Sequence, residues 1–262
     1  MTVKALYDHI EAFAPRALSA EWDNDGIACS ADLSHPVTRV LVALDATEEA
    51  VNKAVTGGFD VLLTHHPLLF GGIKALTPVS TVPRKLLKLV AGGVTAMSFH
   101  TRLDAAAGGV NDILAELLGL ADVAPFGPTG EEMGRIGTLE KEVLSSEYAQ
   151  TVCEKLNIPA VLLAGERPVR RVAVLGGEGG SFVSAARAAG ADLFLSGRIG
   201  YHRMLDGAEE GIALMEAGHF ATEVAVCEKL AALVREADPT VKIEIHTQPA
   251  IRVVERRKEN EG

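Results

Sequence analysis

Arg39-Val40-Leu41-Val42-Ala43-Leu44, a helical pattern over 48–56, and then Val61-Leu62-Leu63-Thr64-His65-His66-Pro67 form the stretch that sets the fold. Both apolar runs have the character of buried strands. Thr47 is placed to cap the intervening helix, and Gly57-Gly58 to end it. Outward from this unit, Val3, Leu6, Ile10 and Phe13 recur at helical spacing over 3–13. Downstream, a helix is predicted over 82–91, a strand over 94–99 and a helix over about 110–118. This alternation of strand and helix predicts an α/β layered fold.

Pro125-Phe126-Gly127-Pro128-Thr129-Gly130 is rich in turn formers and reads as a linker. It divides the chain into an N-terminal α/β lobe, 1–125, and a C-terminal α/β lobe, 131–255. In the second lobe, strands are predicted over 134–139, 160–164, 171–175, 192–196, 211–215 and 241–246. Helices fit 145–156, 181–189 and 219–236. The tail from Arg256 to Gly262 reads as frayed and solvated.

The two lobes read as related. At an offset of 132, Arg39–His66 falls on Arg171–Arg198 without a gap and with eight identities in 28 positions. Unrelated chains of average composition would give roughly two. At an offset of 119, His100-Thr101-Arg102-Leu103-Asp104 falls on His219-Phe220-Ala221-Thr222-Glu223. Both segments read His-x-x-x-carboxylate after an apolar run. Packing rules alone make βα units look alike, but here the ligand-type residues coincide as well as the apolar ones. A duplicated α/β unit is therefore expected.

Composition narrows the function. The chain has 262 residues, 48% of them hydrophobic, and no apolar run approaches the ~20 residues of a membrane span. The first residues lack the pattern of a secretory signal, so a cytoplasmic address is expected. The net charge of −10 is shared evenly between the halves, which disfavours nucleic acid as a partner and suits a site for cations. Cys29, Cys153 and Cys227 are too few and too scattered for a disulfide framework or a cysteine-rich zinc site. There is no Gly-x-Ser-x-Gly elbow, and nothing marks Cys29 as an activated thiol.

Five residues stand out as metal ligands. His65 and His66 follow an apolar strand, at the strand end where α/β sheets bind ligands. Adjacent strand residues face opposite ways, so both reach one site only if the chain turns there. His100 ends the next strand, with Asp104 one turn later. His219 and Glu223 share one face of a helix. Each pair alone is as well explained by surface histidines, a helix cap or a solvated i,i+4 pair. Together, three imidazoles and two carboxylates exceed one four-coordinate zinc and suit two metals with a bridging carboxylate.

Other features are weaker. Trp22-Asp23-Asn24-Asp25-Gly26 reads as a buried aromatic beside an Asx-type turn. Gly176-Gly177-Glu178-Gly179-Gly180 could cradle a phosphate but lacks the P-loop ending, and reads mainly as a strand-to-helix turn. Tyr201 and His202 are candidates to line the same cleft. His9, His35 and His246 read as surface residues.

In their order, Trp22-Asp23-Asn24-x-Gly26, Thr64-His65-His66-Pro67, His100-Thr101-x-Leu103-Asp104, Gly108-Gly109-Val110-Asn111-Asp112 and Gly218-His219-x-x-Thr222-Glu223 resemble the Nif-three-like proteins, also named GTP cyclohydrolase I type 2 homologues. The resemblance spans nearly the whole chain. It implies a fold of two related α/β lobes with a dinuclear metal site between them. The short linker implies the compact form without the extra domain inserted in long bacterial members. By resemblance, His66 and Asp104 would hold one metal, His65 and His219 the other, and Glu223 would bridge them. His100 would lie beside the metals as a proton-transfer residue. The resemblance also implies a toroidal homohexamer with its sites facing inward. Two departures bear on the substrate pocket: Ser196-Gly197-Arg198 replaces Thr-Gly-Glu, and Ile27-Ala28-Cys29-Ser30 replaces Leu-Gln-Val-Gly. Arg198 would favour an anionic group.

The expected function is a hydrolase dependent on two divalent ions per chain (zinc, iron or manganese). A hydroxide bridging them would attack a carbon or phosphorus centre. The resemblance points to the imidazole ring of GTP. A phosphoesterase or nucleotide hydrolase is the enzymatic alternative, and a non-catalytic metal-binding regulator or scaffold is the rival of another class.

Overall fold

The computed structural model describes residues 1–251, 253 and 254. The tail from Arg256 lies outside the described residues. In chain order the elements are α1 (Val3–Phe13), β1 (Gly26–Cys29), β2 (Arg39–Ala43), α2 (Glu48–Thr56), β3 (Val61–Thr64), α3 (Thr81–Ala91), β4 (Thr95–Ser98), α4 (Thr101–Ala105), α5 (Val110–Leu117), β5 (Ala121–Phe126) and β6 (Gly134–Leu144). There follow α6 (Ser145–Leu156), β7 (Leu162–Ala164), β8 (Pro168–Glu178), α7 (Val183–Ala188), β9 (Leu193–Arg198), α8 (Tyr201–Glu209), β10 (Ala213–Glu216), α9 (His219–Glu223), α10 (Val226–Ala237) and β11 (Lys242–His246).

Two sheets form. One has the order β1-β4-β3-β2-β11, and the other β5-β6-β8-β9-β10-β7. The heart of each is three parallel strands, β2-β3-β4 and β8-β9-β10. Period-2 alternation covers both faces of each. Val40, Val42, Leu63 and Met97 point to a core shared with α1 and α10. Leu41, Ala43, Leu62 and Ala96 point to a core under α2 and α3. In the second sheet, Val172, Val174, Leu195 and Met215 face α5 and α6, while Ala173, Leu175, Phe194 and Leu214 face α7 and α8. Each sheet is therefore sandwiched between helices, and each buried Leu or Val contributes about 1.5–3 kcal/mol of transfer free energy.

The relation between the lobes extends to single hydrogen bonds. Asp60 Oδ2 accepts from the backbone N–H of Thr38 and Arg39. Asp192 Oδ2 accepts from those of Arg170 and Arg171. Asp60 N–H donates to Arg39 O, and Asp192 N–H to Arg171 O. The pairing of Phe99 N–H with Thr64 O recurs as Ala217 N–H with Ser196 O.

Several elements differ from the sequence reading. Of the linker read over 125–130, Pro125 and Phe126 belong instead to the edge strand β5, paired antiparallel with β6, while 127–130 is turn. Pro125 hides a strand from the sequence, yet an edge strand tolerates its missing donor. β11 returns to the first sheet beside β2, and α10 packs on α1. The division at 125–131 in sequence is thus crossed in space by the C-terminal elements. The helix expected over 219–236 breaks into α9 and α10. β1 and α8 carry too weak a pattern to have been anticipated. His246, read as a surface residue, is buried because it ends β11 and turns inward beside β2. Among the described residues no helix is long and apolar enough to cross a membrane.

Candidate metal centre

The parallel strands deliver the site at their C-terminal ends, from both sheets at once. After Thr64 the chain bends: Thr64 Oγ1 donates to His66 O at 2.7 Å, and His66 N–H donates to Leu44 O. That bend turns His65 and His66 to one side, with ring centroids 4.9 Å apart. His100 follows β4, and Asp104 lies on α4. From the second sheet, α9 presents His219 and Glu223.

Each histidine of the first sheet is fixed through its Nδ1. His65 Nδ1–H donates to Phe99 O at 2.9 Å, His66 Nδ1–H to Asp45 Oδ1 at 2.8 Å, and His100 Nδ1–H to Asp23 at 3.1 Å. The Nε2 atoms are left to face the cleft, the arrangement in which an imidazole serves as a metal ligand. Two triads of donor atoms result: His65, Asp104 and Glu223, and His66, His219 and Glu223. Glu223 is common to both. His65, His66 and His100 form a third group.

The spacings fit cations. His65 Nε2 is 3.6 Å from Asp104 Oδ1 and 4.0 Å from Glu223 Oε1. Glu223 Oε2 is 3.2 Å from His66 Nε2 and 3.1 Å from His219 Nε2. Two donors on one tetrahedral ion at ordinary bond lengths lie about 3.3 Å apart. His65 Nε2 and Asp104 Oδ1 are also buried without a hydrogen-bond partner, and Glu223 Oε2 has only the two imidazoles beside it. Groups stranded in this way cost about 1–3 kcal/mol each unless a ligand completes them. The donors therefore suit zinc, iron or manganese. Proximity pairs His65 with Asp104 and His66 with His219, whereas the resemblance divides the four the other way.

The charges are strongly coupled. Burial, reinforced by the charge on His66, pushes His65 down to about 3. Burial opposes a charge on His66 too, but Asp45 and Glu223 overcome it and raise His66 to about 10. Glu223 holds His219 above its usual value. Burial and then the charge of Glu223 lift Asp104 to about 7. Glu223 itself stays well below the usual carboxylate range: its burial is outweighed by His219 and His66.

Asp45, Asp23 and Asp25 are supporting residues: the sequence marked Asp23 and Asp25 only as part of a turn motif, and Asp45 not at all. Asp23 accepts from His100, from Thr101 N–H and from Thr101 Oγ1. Asp25 Oδ2 accepts from His100 N–H at 2.9 Å and from the fully buried Arg102 Nε at 2.7 Å. Arg102 also pairs with Glu11. The Trp22–Gly26 segment thus clamps the His100–Asp104 turn. Trp22 is not the buried aromatic expected but stands largely in solvent, because the clamp is made by the aspartates.

The glycine-rich segment is no phosphate cradle. Gly176 N–H donates to Asn111 Oδ1, Gly177 N–H to Thr222 Oγ1 and Gly179 N–H to Arg198 O. Its glycines allow close approach instead: a Cβ on Gly177 would run into Glu223 Oε1. Arg198 ends β9 in solvent, 3.7 Å from the exposed Glu178. Tyr201 and His202 pair with each other on α8, not with the histidine cluster. Burial raises the Cys29 thiol, which leaves it a poor nucleophile.

Over residues 1–251 the chain matches the family Duf34/NIF3 (NGG1p interacting factor 3). It is 32% identical to the GTP cyclohydrolase 1 type 2 homolog of Clostridium perfringens, over 90% of this chain and 92% of that protein. Identity to the protein of the same name from Streptomyces coelicolor is 34%, over 87% and 83%. Among solved structures, reduced HcgD from Methanocaldococcus jannaschii superposes with a TM-score of 0.80 at 29% identity, over 94% of this chain and 97% of that one. SA1388 of Staphylococcus aureus shares the fold at a TM-score of 0.85 and 24% identity, over 97% and 99%.

Proposed function

This chain belongs to the Duf34/NIF3 family, and from that premise we propose that it is a hydrolase dependent on two divalent metal ions, acting on a small molecule of the GTP-cyclohydrolase type. The observation that carries the reading is the pair of stranded buried donors, His65 Nε2 and Asp104 Oδ1, gathered with His66 and His219 around the buried Glu223. The name borne by the curated relatives supports the substrate class. His65, His66, Asp104, His219 and Glu223 would hold the ions, with Glu223 between them. Bound there, the ions would acidify water and neutralise charge developing on the substrate.

The chain's own residues supply the rest. Asp23 fixes the His100 tautomer, so that Nε2 faces the cleft and can take a proton there or return one to the leaving group. The low-lying Asp23 carboxylate, held down by His100 and Thr101 against its own burial, stays ionised and keeps the His100 ring in place. Arg198, exposed at the end of β9, would offer a positive charge to an anionic substituent. The family resemblance adds a closed toroidal homohexamer, in which symmetric closure would cover apolar surface.

Elemental analysis of chelator-free protein should find about two zinc, iron or manganese ions per chain. Turnover is then screened against GTP, phosphoesters and cyclic amides. Protein that neither carries nor takes up these metals would sink the proposal. Light scattering should give the mass of six chains, and a concentration-independent monomer would remove the toroid.

A further inference from the structure

Beside the donor cluster the cleft has an aromatic lip. Trp22, the chain's single tryptophan, is 61% exposed, and Phe70 is 59% exposed. Both rings meet His100 edge to face. Their centroids lie 6.0 and 5.7 Å from it, at interplanar angles of 75° and 89°. The His100 ring in turn lies 5.2 Å from that of His65 and 5.4 Å from that of His66. Two large π systems therefore stand within one side chain of the donors.

The lip is built, not incidental. Asn24 Nδ2–H donates to Leu69 O at 2.9 Å, which ties the loop of Trp22 to the loop of Phe70. Asp23, next to Trp22, holds His100. The two loops that carry the rings are thus tied to each other, and the exposed ring faces are the surfaces on which planar rings stack. The indole N–H and the His100 imidazole add polar groups that the edge of a heteroaromatic ring can meet.

We propose that Trp22 and Phe70 form a stacking subsite for the planar heteroaromatic ring of a ligand whose other end reaches the donor cluster. The inference rests on the metal-centre reading above and names the ligand class of that site. Residues that touch no predicted donor would then set which molecules enter.

The single tryptophan makes the test direct, because selectively excited tryptophan fluorescence reports on Trp22 alone. Metal-loaded full-length protein is titrated with guanosine, adenosine and uridine, and separately with ribose 5-phosphate. Saturable quenching by at least one nucleoside and none by ribose 5-phosphate is expected. Phe70→Leu, which keeps an apolar side chain but removes the ring, should weaken nucleoside binding about tenfold with an unchanged circular dichroism spectrum. No saturable quenching, equal quenching by ribose 5-phosphate, or unchanged affinity in Phe70→Leu would each overturn the subsite. So would a Trp22 emission that shifts with protein concentration alone, which would assign the lip to a contact between copies of the chain. The metal content of the same samples is measured separately. Nucleoside binding that persists in protein unable to take up metal would sustain the stacking subsite and sink the metal centre.

Discussion

Gly177→Ala perturbs the metal centre without replacing a donor. Gly177 sits at φ +67°, and a Cβ there would press on Glu223 Oε1 inside the 3.0 Å that real Cβ atoms keep. It would also come within 3.2 Å of Glu223 Cδ and His219 Nε2. The backbone cannot readily retreat. Gly177 N–H donates to Thr222 Oγ1, and Gly177 O accepts from Ser196 Oγ. The Glu223 carboxylate must therefore move, by on the order of 1 Å given ordinary contact radii. Metal sites tolerate about 0.2 Å. Affinity should fall at least as far as it does when a supporting residue is lost, about 10–100-fold.

The left-handed backbone adds about 1–2 kcal/mol of strain for any residue with a Cβ, or about 2–4 °C in Tm for each kcal/mol. Gly93 supplies the control. It has nearly the same φ, +69°, but its Cβ would meet nothing within 4 Å. Gly93→Ala should lose the same thermal stability and keep full metal affinity. The assay pairs thermal unfolding with calorimetric zinc and manganese titrations of wild type and both variants. If Gly177→Ala bound metal as Gly93→Ala does, the placement of Glu223 at the shared position would be refuted.

Three further outcomes follow from the same geometry. Glu223→Gln should lose metal stoichiometry while His100→Gln keeps it, since Glu223 joins two donor triads and His100 is held beside them; full occupancy in Glu223→Gln would contradict the bridge. Asp25→Ala leaves the fully buried Arg102 without its main carboxylate, which should cost about 3–5 kcal/mol in denaturant unfolding; a loss below about 1 kcal/mol would show the clamp to be dispensable. Metal uptake near pH 7 should release protons, because His66, raised to about 10, and Asp104, raised to about 7, must give them up. The sign is fixed by those values: metal affinity rises with pH. Within the metal-free chain, the stability gained from a charged His66 is complete below about 6.5 and lost as pH climbs through about 10. Calorimetry in buffers of different ionisation heat would detect the protons, and uptake with no release would exclude a protonated His66.

What was legible in the sequence was what obeys a local rule. Apolar runs ending in histidine mark strand ends, and the central parallel strands and α2 fall where their apolar patterns put them. The i,i+4 spacing of His219 and Glu223 survives although the helix breaks directly after Glu223. Asp45, Asp23 and Asp25 were not legible as supports, because their partners lie 21, 77 and 75 residues away. A short carboxylate in a turn looks the same whether it caps a helix or steadies a distant imidazole. Trp22 misleads for a related reason: hydrophobicity argues for burial, and only the tertiary clamp shows that neighbouring aspartates already do the holding.

The internal repeat carries more than it first shows. The gapless offset of 132 sets Asp45 against Gly177, His65 against Gly197 and His66 against Arg198, while the offset of 119 sets Asp104 against Glu223. In one copy the strand ends carry donors and their supports. In the other, two of the matching positions are glycines, and each is packed too tightly for a side chain. A Cβ on Gly197 would lie 2.7 Å from His219 Cα and from Thr222 Oγ1. A site at the meeting of two equivalent strand ends cannot hold a full donor set from both, because the side chains would occupy one volume. The second copy keeps the donors of α9 and gives up its strand-end side chains, so that α9 can reach across to the histidines of the first. Restoring a side chain at Gly197 should therefore injure the site from the side that contributes no strand-end donor.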